Sequence, residues 1–325
     1  MNLFDLERAK AFIRDGDDFL LVTHVQPDGD AVSSLLAAGL LLESLGKRHT
    51  PVIGDRVPGR LRFLAGSGSI RTATPGETPE RLHDRVIALD CADFSRIGPA
   101  AAWCAPGARL LNIDHHPTND GFGDVTLIRP DASATAEILY ELVGAMGVPW
   151  SRELAECIYT GILTDTGGFR YQNTTPAAHR IASEMLERGA DGSRIAERLL
   201  ERLSHSHVLL LKRALATLSF DAGNRISWLT VTRADMEETE AKAEDLEGLV
   251  NYSRNIEGVE VGILFKEVDE GKVKVSLRSA GTVDVAAFAK SFGGGGHVRA
   301  AGVTLHMPLP EAVRTIVGAL RGLMA

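Results

Sequence analysis

The first half of the chain alternates short, uniformly apolar runs with longer stretches whose apolar residues recur every three to four positions. Residues 19–24 (FLLVTH), 86–90 (VIALD) and 110–114 (LLNID) are too short for stable helices and apolar until they end. They are predicted as strands buried on both faces of a parallel sheet. Segments 31–45, 134–146 and 152–163 carry the helical period and predict helices between and after them. That order implies an α/β fold, with a mostly parallel sheet bearing helices on both faces. Ligands gather at the carboxyl ends of strands in such sheets. Each run ends on, or leads into, a polar residue there: His24, Asp90 and Asp114.

From 176 to 219 the pattern is nearly continuous helix with a polar break at 189–192, as expected of a helical connector. A strand at 225–232, a helix at 246–252, and paired strands at 259–265 and 272–277 follow. A helix at 285–292, a glycine loop at 293–296 and a last helix at 309–323 complete a smaller C-terminal α/β domain. The expected division is a first domain over 1–188, the connector over 189–219 and a second domain over 220–325. A chain of 325 residues exceeds what one core usually serves.

Composition narrows the function. With 44% hydrophobic and 24% charged residues the chain buries an ordinary core, which excludes a disordered protein. A net charge of −8 argues against the broad basic face that grips long duplex nucleic acid, so any nucleic-acid role is confined to a local pocket. Cys91, Cys104 and Cys157 have no zinc-type spacing, and their odd number supports no disulfide framework. The first twelve residues include Asp5 and Glu7 and lack an apolar run. The most apolar helix, 31–45, is short and interrupted by Ser33, Ser34, Glu43 and Ser44. Neither a secretory signal nor a membrane span is expected, which places the chain in the cytoplasm without membrane association.

The chemistry concentrates at strand ends. In residues 23–30 (THVQPDGD), His24, Asp28 and Asp30 lie on a turn that Pro27 and Gly29 tighten. Imidazole with carboxylates suits Mn²⁺, Mg²⁺, Co²⁺ or Fe²⁺ better than thiolate-seeking metals. Asp90 closes the second strand, Asp114-His115-His116 the third, and Asp165 follows the 152–163 helix. Singly, these are a capped turn, a helix cap, surface histidines and a turn residue. Jointly they reach one edge of one sheet. Asp28, Asp30, Asp90 and Asp165 would bring four negative charges into one cleft, and two divalent cations would neutralise them. In residues 293–302 (GGGGHVRAAG), successive glycines let backbone N–H groups approach an anion, while His297 and Arg299 add donors. No Lys-Ser/Thr follows the run and a helix precedes it, which separates it from nucleotide-triphosphate and dinucleotide loops.

His-x3-Asp-x-Asp, a strand-ending Asp, Asp-His-His and a later Thr-Asp-Thr-Gly, in this order, resemble the four motifs of the Asp-His-His (DHH) phosphoesterases over about residues 15–190. The resemblance implies one metal on His24, Asp28 and Asp90. It implies a second on Asp30, Asp90, His115 and Asp165, with Asp90 shared. Asp114 would steady a histidine, and His116 would touch the substrate phosphate or protonate the leaving oxygen. The C-terminal part resembles the DHH-associated domain, which implies substrate contacts from Arg254, Arg278, Ser279, Gly294, Gly295, Gly296, His297 and Arg299. At this length the chain is most similar to bacterial nanoRNases that also dephosphorylate 3′,5′-bisphosphate nucleotides such as pAp. That likeness implies two divalent cations, Mn²⁺ foremost with Mg²⁺ or Co²⁺ as alternatives. The expected partners are short RNA or DNA oligonucleotides, linear dinucleotides and small nucleotides, with no long duplex. A homodimer stays open, as do a narrow pAp phosphatase, a pyrophosphatase and a non-catalytic nucleotide sensor. Phe169 and Tyr171 follow Asp165 and read equally as base-stacking or core residues.

Overall fold

Strands that are apolar on every position need cover on both faces, and this demand shapes the first part of the molecule. The computed structural model describes residues 3–324, so residues 1, 2 and 325 of the expected segment and domain ranges lie outside the described residues. The chain divides into two compact units, Met1–Arg202 and Leu203–Ala325.

The first unit runs through α1 (Leu3–Arg14), β1 (Phe19–Val22), α2 (Gly29–Ser44), β2 (His49–Ile53), β3 (Arg71–Thr72), β4 (His83–Leu89), β5 (Cys104–Asp114) and β6 (Val125–Ile128). It closes with α3 (Thr135–Met146), α4 (Arg152–Asp165), α5 (Pro176–Glu187) and α6 (Gly192–Ala196). All six strands are parallel, in the order β3-β2-β1-β4-β5-β6. Alternate residues serve opposite faces. Phe19 and Leu21 join α1 to α5 in one core, whereas Leu20 and Val22 join Ile97, Ala100 and Trp103 in another. Helices on both faces were expected. The second face is instead covered by the kinked 3₁₀ segment Phe94–Trp103, because Gly98 and Pro99 break the helical path. The strand order reverses between β1 and β4, and that switch point is where an open parallel sheet forms its crevice.

Past α6 the backbone widens into a π-helical turn, Glu197–Glu201. The second unit begins with α7 (His205–Ala216), β7 (Ser219–Asp221), β8 (Ile226–Val231), α8 (Arg233–Glu238) and α9 (Leu249–Arg254). It continues through β9 (Val261–Asp269), β10 (Lys272–Ser279), α10 (Val285–Lys290), β11 (Gly295–His297), β12 (Ala300–Leu305) and α11 (Leu309–Met324). Its sheet runs β11-β12-β10-β9-β8-β7, with only β8 and β9 parallel. α10 and α11 pack on one face, and α7 and α9 on the other. Of the expected connector, Ile195 and Leu199 belong to the first unit's core, while Leu210 and Ala214 belong to the second's.

Candidate metal centre

β1 leads into His24, β4 into Asp90, and β5 ends on Asp114 with His115 and His116 behind it. Asp90 sits at the switch point with φ +58°, a left-handed conformation that aspartate tolerates better than most residues. Its two oxygens face different groups. Oδ2 lies 3.5 Å from His24 Nε2, while Oδ1 lies 3.7 Å from His115 Nε2 and 3.6 Å from His116 Nδ1. His24, Asp28 and Asp90 bring one ligand atom each within 4.8 Å of one another, and so do Asp90, His115 and His116. Asp165, the last residue of α4 and not a residue beyond it, places Oδ2 3.6 Å from His115 Nε2.

Histidine tautomers are set from outside this cluster. His24 Nδ1 is 2.8 Å from the Val25 carbonyl and His115 Nδ1 is 3.3 Å from that of Ala132. A carbonyl only accepts, so both Nδ1 atoms donate, and both Nε2 atoms face the carboxylates. His116 differs: its Nδ1 lies 2.7 Å from Asp114 Oδ1, and Asp114 is wholly buried. Asp30 also differs from the other carboxylates. Its oxygens accept the Thr135 and Ala136 amides at 2.6 and 3.1 Å, so it caps the N-terminus of α3 while standing beside Asp90 and Asp165.

The excess negative charge registers in the protonation of these groups. Burial, then Asp90 and Asp165, push Asp30 well above the carboxylate range. Burial raises Asp165 to about 7, with Asp90 and Asp28 adding to the rise and His115 opposing it. Burial would lower His115, but Asp30, Asp165 and Asp90 outweigh it and raise the imidazole to about 9. Burial would raise Asp90, yet the hydrogen bond from His24 and the charges of His115 and His116 hold it low. A cluster of oxygen and imidazole donors whose protons substitute for missing positive charge fits hard or borderline divalent cations.

Other residues complete the site without any motif to announce them. Thr135 donates its hydroxyl to Asp90 Oδ1 at 2.9 Å and its amide to Asp30, tying two carboxylates to the first turn of α3. Asn119 donates to Asp114 Oδ2 at 2.6 Å, and Asn173 to Asp165 Oδ2 at 3.2 Å. Gly161 lets α4 press against α2 and α3; a Cβ there would overlap Ala136 Cβ and Asp30 Oδ1. Phe169 is half-buried and stacks on His179 at 4.8 Å, while Tyr171 is exposed and lies over Gly167.

In the second unit the expected substrate residues gather at one end of the sheet. Arg254 ends α9 and packs over Gly262, which pairs with Arg278, and Ser279 N–H donates to the Arg299 carbonyl. Ser279 Oγ and Arg254 Nε are buried without a hydrogen-bond partner among the described residues. Arg278 Nη1 donates to the Leu277 carbonyl at 3.0 Å and Arg299 Nη1 to that of Ala280 at 3.3 Å. The glycine run is only partly a loop. Gly295–His297 forms edge strand β11 against Ala300–Gly302 of β12, since Gly294 and Gly296 lie too close to that strand for any side chain. His297 and Arg299 are exposed around its turn.

Residues 18–162 match the DHH family, N-terminal domain, and residues 227–325 match the DHHA1 domain. The chain belongs to the DHH family of phosphoesterases. It is 38% identical over 308 residues to the bifunctional oligoribonuclease and PAP phosphatase NrnA of Thermus thermophilus, covering 93% of this chain and 88% of that protein. It is 29% identical to the protein of the same name from Bacillus subtilis, over 89% of this chain and 90% of that one. The solved structure of an exopolyphosphatase-related protein from Bacteroides fragilis superposes with a TM-score of 0.90 at 28% identity, covering 99% and 98% of the two chains.

Proposed function

We propose that this protein hydrolyses short oligonucleotides and linear dinucleotides to mononucleotides and removes the 3′-phosphate of pAp-like nucleotides, with Mn²⁺ as its working ion. The observation that carries the reading is Asp90, whose two oxygens face two separate sets of ligand atoms. His24, Asp28 and Asp90 would hold one cation; Asp30, Asp90, His115 and Asp165 would hold the other. Two such cations supply Lewis acidity that offsets the carboxylate charge and polarises phosphoryl oxygens and water. Two relatives named for both activities, aligned over most of their length, support the substrate class.

The chain's own residues orient and move protons. His24 and His115 are turned by backbone carbonyls so that Nε2 faces inward. The nitrogen of His116 nearest Asp90 is already engaged by Asp114, which favours His116 as proton donor to the leaving oxygen over His116 as ligand. Asp114, itself held by Asn119, would orient the ring. In the second unit, Arg254, Arg278, Ser279, the amides of Gly294–Gly296, His297 and Arg299 would bind the substrate's remote phosphate. Among the described residues no helix is long and apolar enough to cross a membrane, and all three cysteines are free thiols, which supports a reducing cytoplasmic setting. A panel of RNAs from two to twenty nucleotides beside pAp and pyrophosphate, with and without Mn²⁺, tests the reading. Cleavage confined to pyrophosphate would replace it, and full turnover after verified chelation would remove the metals from it.

A further inference from the structure

Many arginines of the first unit are taken up by carboxylates, among them Arg48 by Asp17, Arg129 by Glu141 and Arg194 by Glu156. Arg56 and Arg96 are not: among the described residues neither guanidinium has a hydrogen bond or a carboxylate oxygen within 4.0 Å. Both belong to segments tied to the metal loop. Val25 N–H donates to the Arg96 carbonyl and Gln26 N–H to Asp55 Oδ2, each at 2.7 Å, so successive amides between His24 and Asp28 anchor the two arginine-bearing segments. The Val25 side chain fills the space between Gly54 and Gly98, and a Cβ at either would collide with it. Such a wedge leaves no slack, which fixes both segments relative to His24.

Arg96 lies on the segment that follows Asp90, six residues on, and its carbonyl is held by the metal loop at Val25. From Arg56 the surface continues into a depression of about 470 Å³ lined by Arg56, Arg62, Ser67 and Thr72, with Val57 and Ile70 as apolar wall and no acidic side chain. Thr72 pairs with Ile53 of β2, and Val52 of β2 with Val22 of β1. The depression therefore lies two strand spacings, about 10 Å, from the point where β1 hands over to the metal loop. Arg56, Arg62, Ser67 and Thr72 thus gather cationic and hydroxyl donors beside the metal loop, to which the Arg96 segment is also tied, in a chain of net charge −8. A ligand suited to those donors carries anionic groups at intervals.

We propose that Arg96, Arg56 and Arg62 form a phosphate track that grips the backbone of single-stranded RNA beyond the scissile phosphate. Through it the enzyme senses substrate length. The track rests on the nucleolytic reading of the metal centre. It acts through point charges on phosphate, so its contribution carries a salt signature: each phosphate contact on a single strand contributes a slope of about −0.7 in log affinity against log salt.

The experiment compares wild type with the double variant R56Q/R62Q, both checked for unchanged thermal unfolding. A labelled, hydrolysis-resistant phosphorothioate RNA pentamer is titrated by fluorescence anisotropy across KCl concentrations, and kcat/KM is measured on pentamer and dinucleotide. The pentamer-to-dinucleotide ratio of kcat/KM is expected to fall about tenfold or more. The salt slope for the pentamer should shrink by about 1.4, two contacts' worth. A ratio and slope that both stay at the wild-type values would overturn the track, as would equal losses on both substrates. A wild-type protein that neither binds nor cleaves the pentamer would overturn the nucleolytic reading itself, a failure distinct from that of the track.

Discussion

In the first unit most of the candidate ligands are buried or half-buried and pinned before any ligand arrives, Asp28 at the rim being the exposed one. Asp30, Asp90 and Asp114 are at most 2% exposed, and amide, hydroxyl or carboxamide donors orient their oxygens. In the second unit, His297 and Arg299 lie exposed around a hairpin turn, and Ser279 keeps a buried hydroxyl without a partner among the described residues. The difference follows from what each site would hold. A divalent cation that stays needs ligands fixed in advance, and uncompensated carboxylates are tolerable only where protons or metals balance them. A substrate phosphate that enters and leaves each cycle is better served by accessible donors on an edge.

Asp90 gives the sharpest test of that contrast, since both ligand sets share it. Asp90→Ala should cut turnover on every substrate by more than the roughly 10–100-fold that loss of an outer partner causes, and Asp114→Ala should stay within that range. Equal, mild losses measured by kcat/KM would break the assignment of Asp90 as the shared ligand. The exposed site should behave selectively. His297→Ala and Arg299→Ala should lower kcat/KM on dinucleotides and pAp by roughly 10- to 150-fold while affecting a simple aryl phosphate far less. Equal loss on both substrate types would make the hairpin a support for fold or chemistry.

Thr135 sharpens the comparison within the buried site. Thr135→Val keeps the shape but removes the hydroxyl on Asp90, so Mn²⁺ affinity by calorimetry should weaken about 10- to 100-fold, with Thr135→Ser close to wild type. If serine and valine lose affinity alike, packing and not the hydrogen bond is responsible.

The buried site should also respond to pH. His115, raised to about 9, stabilises the metal-free fold fully below its ordinary value near 6.5, and that contribution is lost as pH rises through about 9. Asp165, raised to about 7, favours the metal-free fold when protonated, and that advantage also fades as pH rises through about 7. Cations must displace both protons. The thermal stabilisation produced by added Mn²⁺ should therefore grow from pH 6 to pH 9, and affinity should rise by about tenfold per pH unit for each proton released. A pH-independent gain would mean that these groups do not hold the metal.

Three strand-end motifs and their order were legible because ligand residue types cluster within a few positions of a strand terminus, where periodicity already points to one sheet edge. The same reading placed Asp165 beyond a helix that in fact includes it, and put helices on a face that a 3₁₀ segment covers. Gly98 and Pro99 carry that covering segment, but nothing in their spacing says which face it will meet. The glycine run was visible as a special stretch. Its pairing with β12 was not, because register against a strand several residues later depends on which edge is open.

Local composition and order thus determined the class of fold, the candidate ligand types and the family resemblance, since each depends on residues close together in the chain. Only tertiary structure decided the rest. Thr135 meets Asp30 and Asp90 across 105 and 45 positions, Val25 meets the Arg96 carbonyl, and Gln26 meets Asp55, the neighbour of Arg56, across 29. A threonine at a helix start and an arginine on a loop carry no signal of their own. They acquire roles because parallel strands order distant segments along one edge, and because close packing leaves a single way to fit them there.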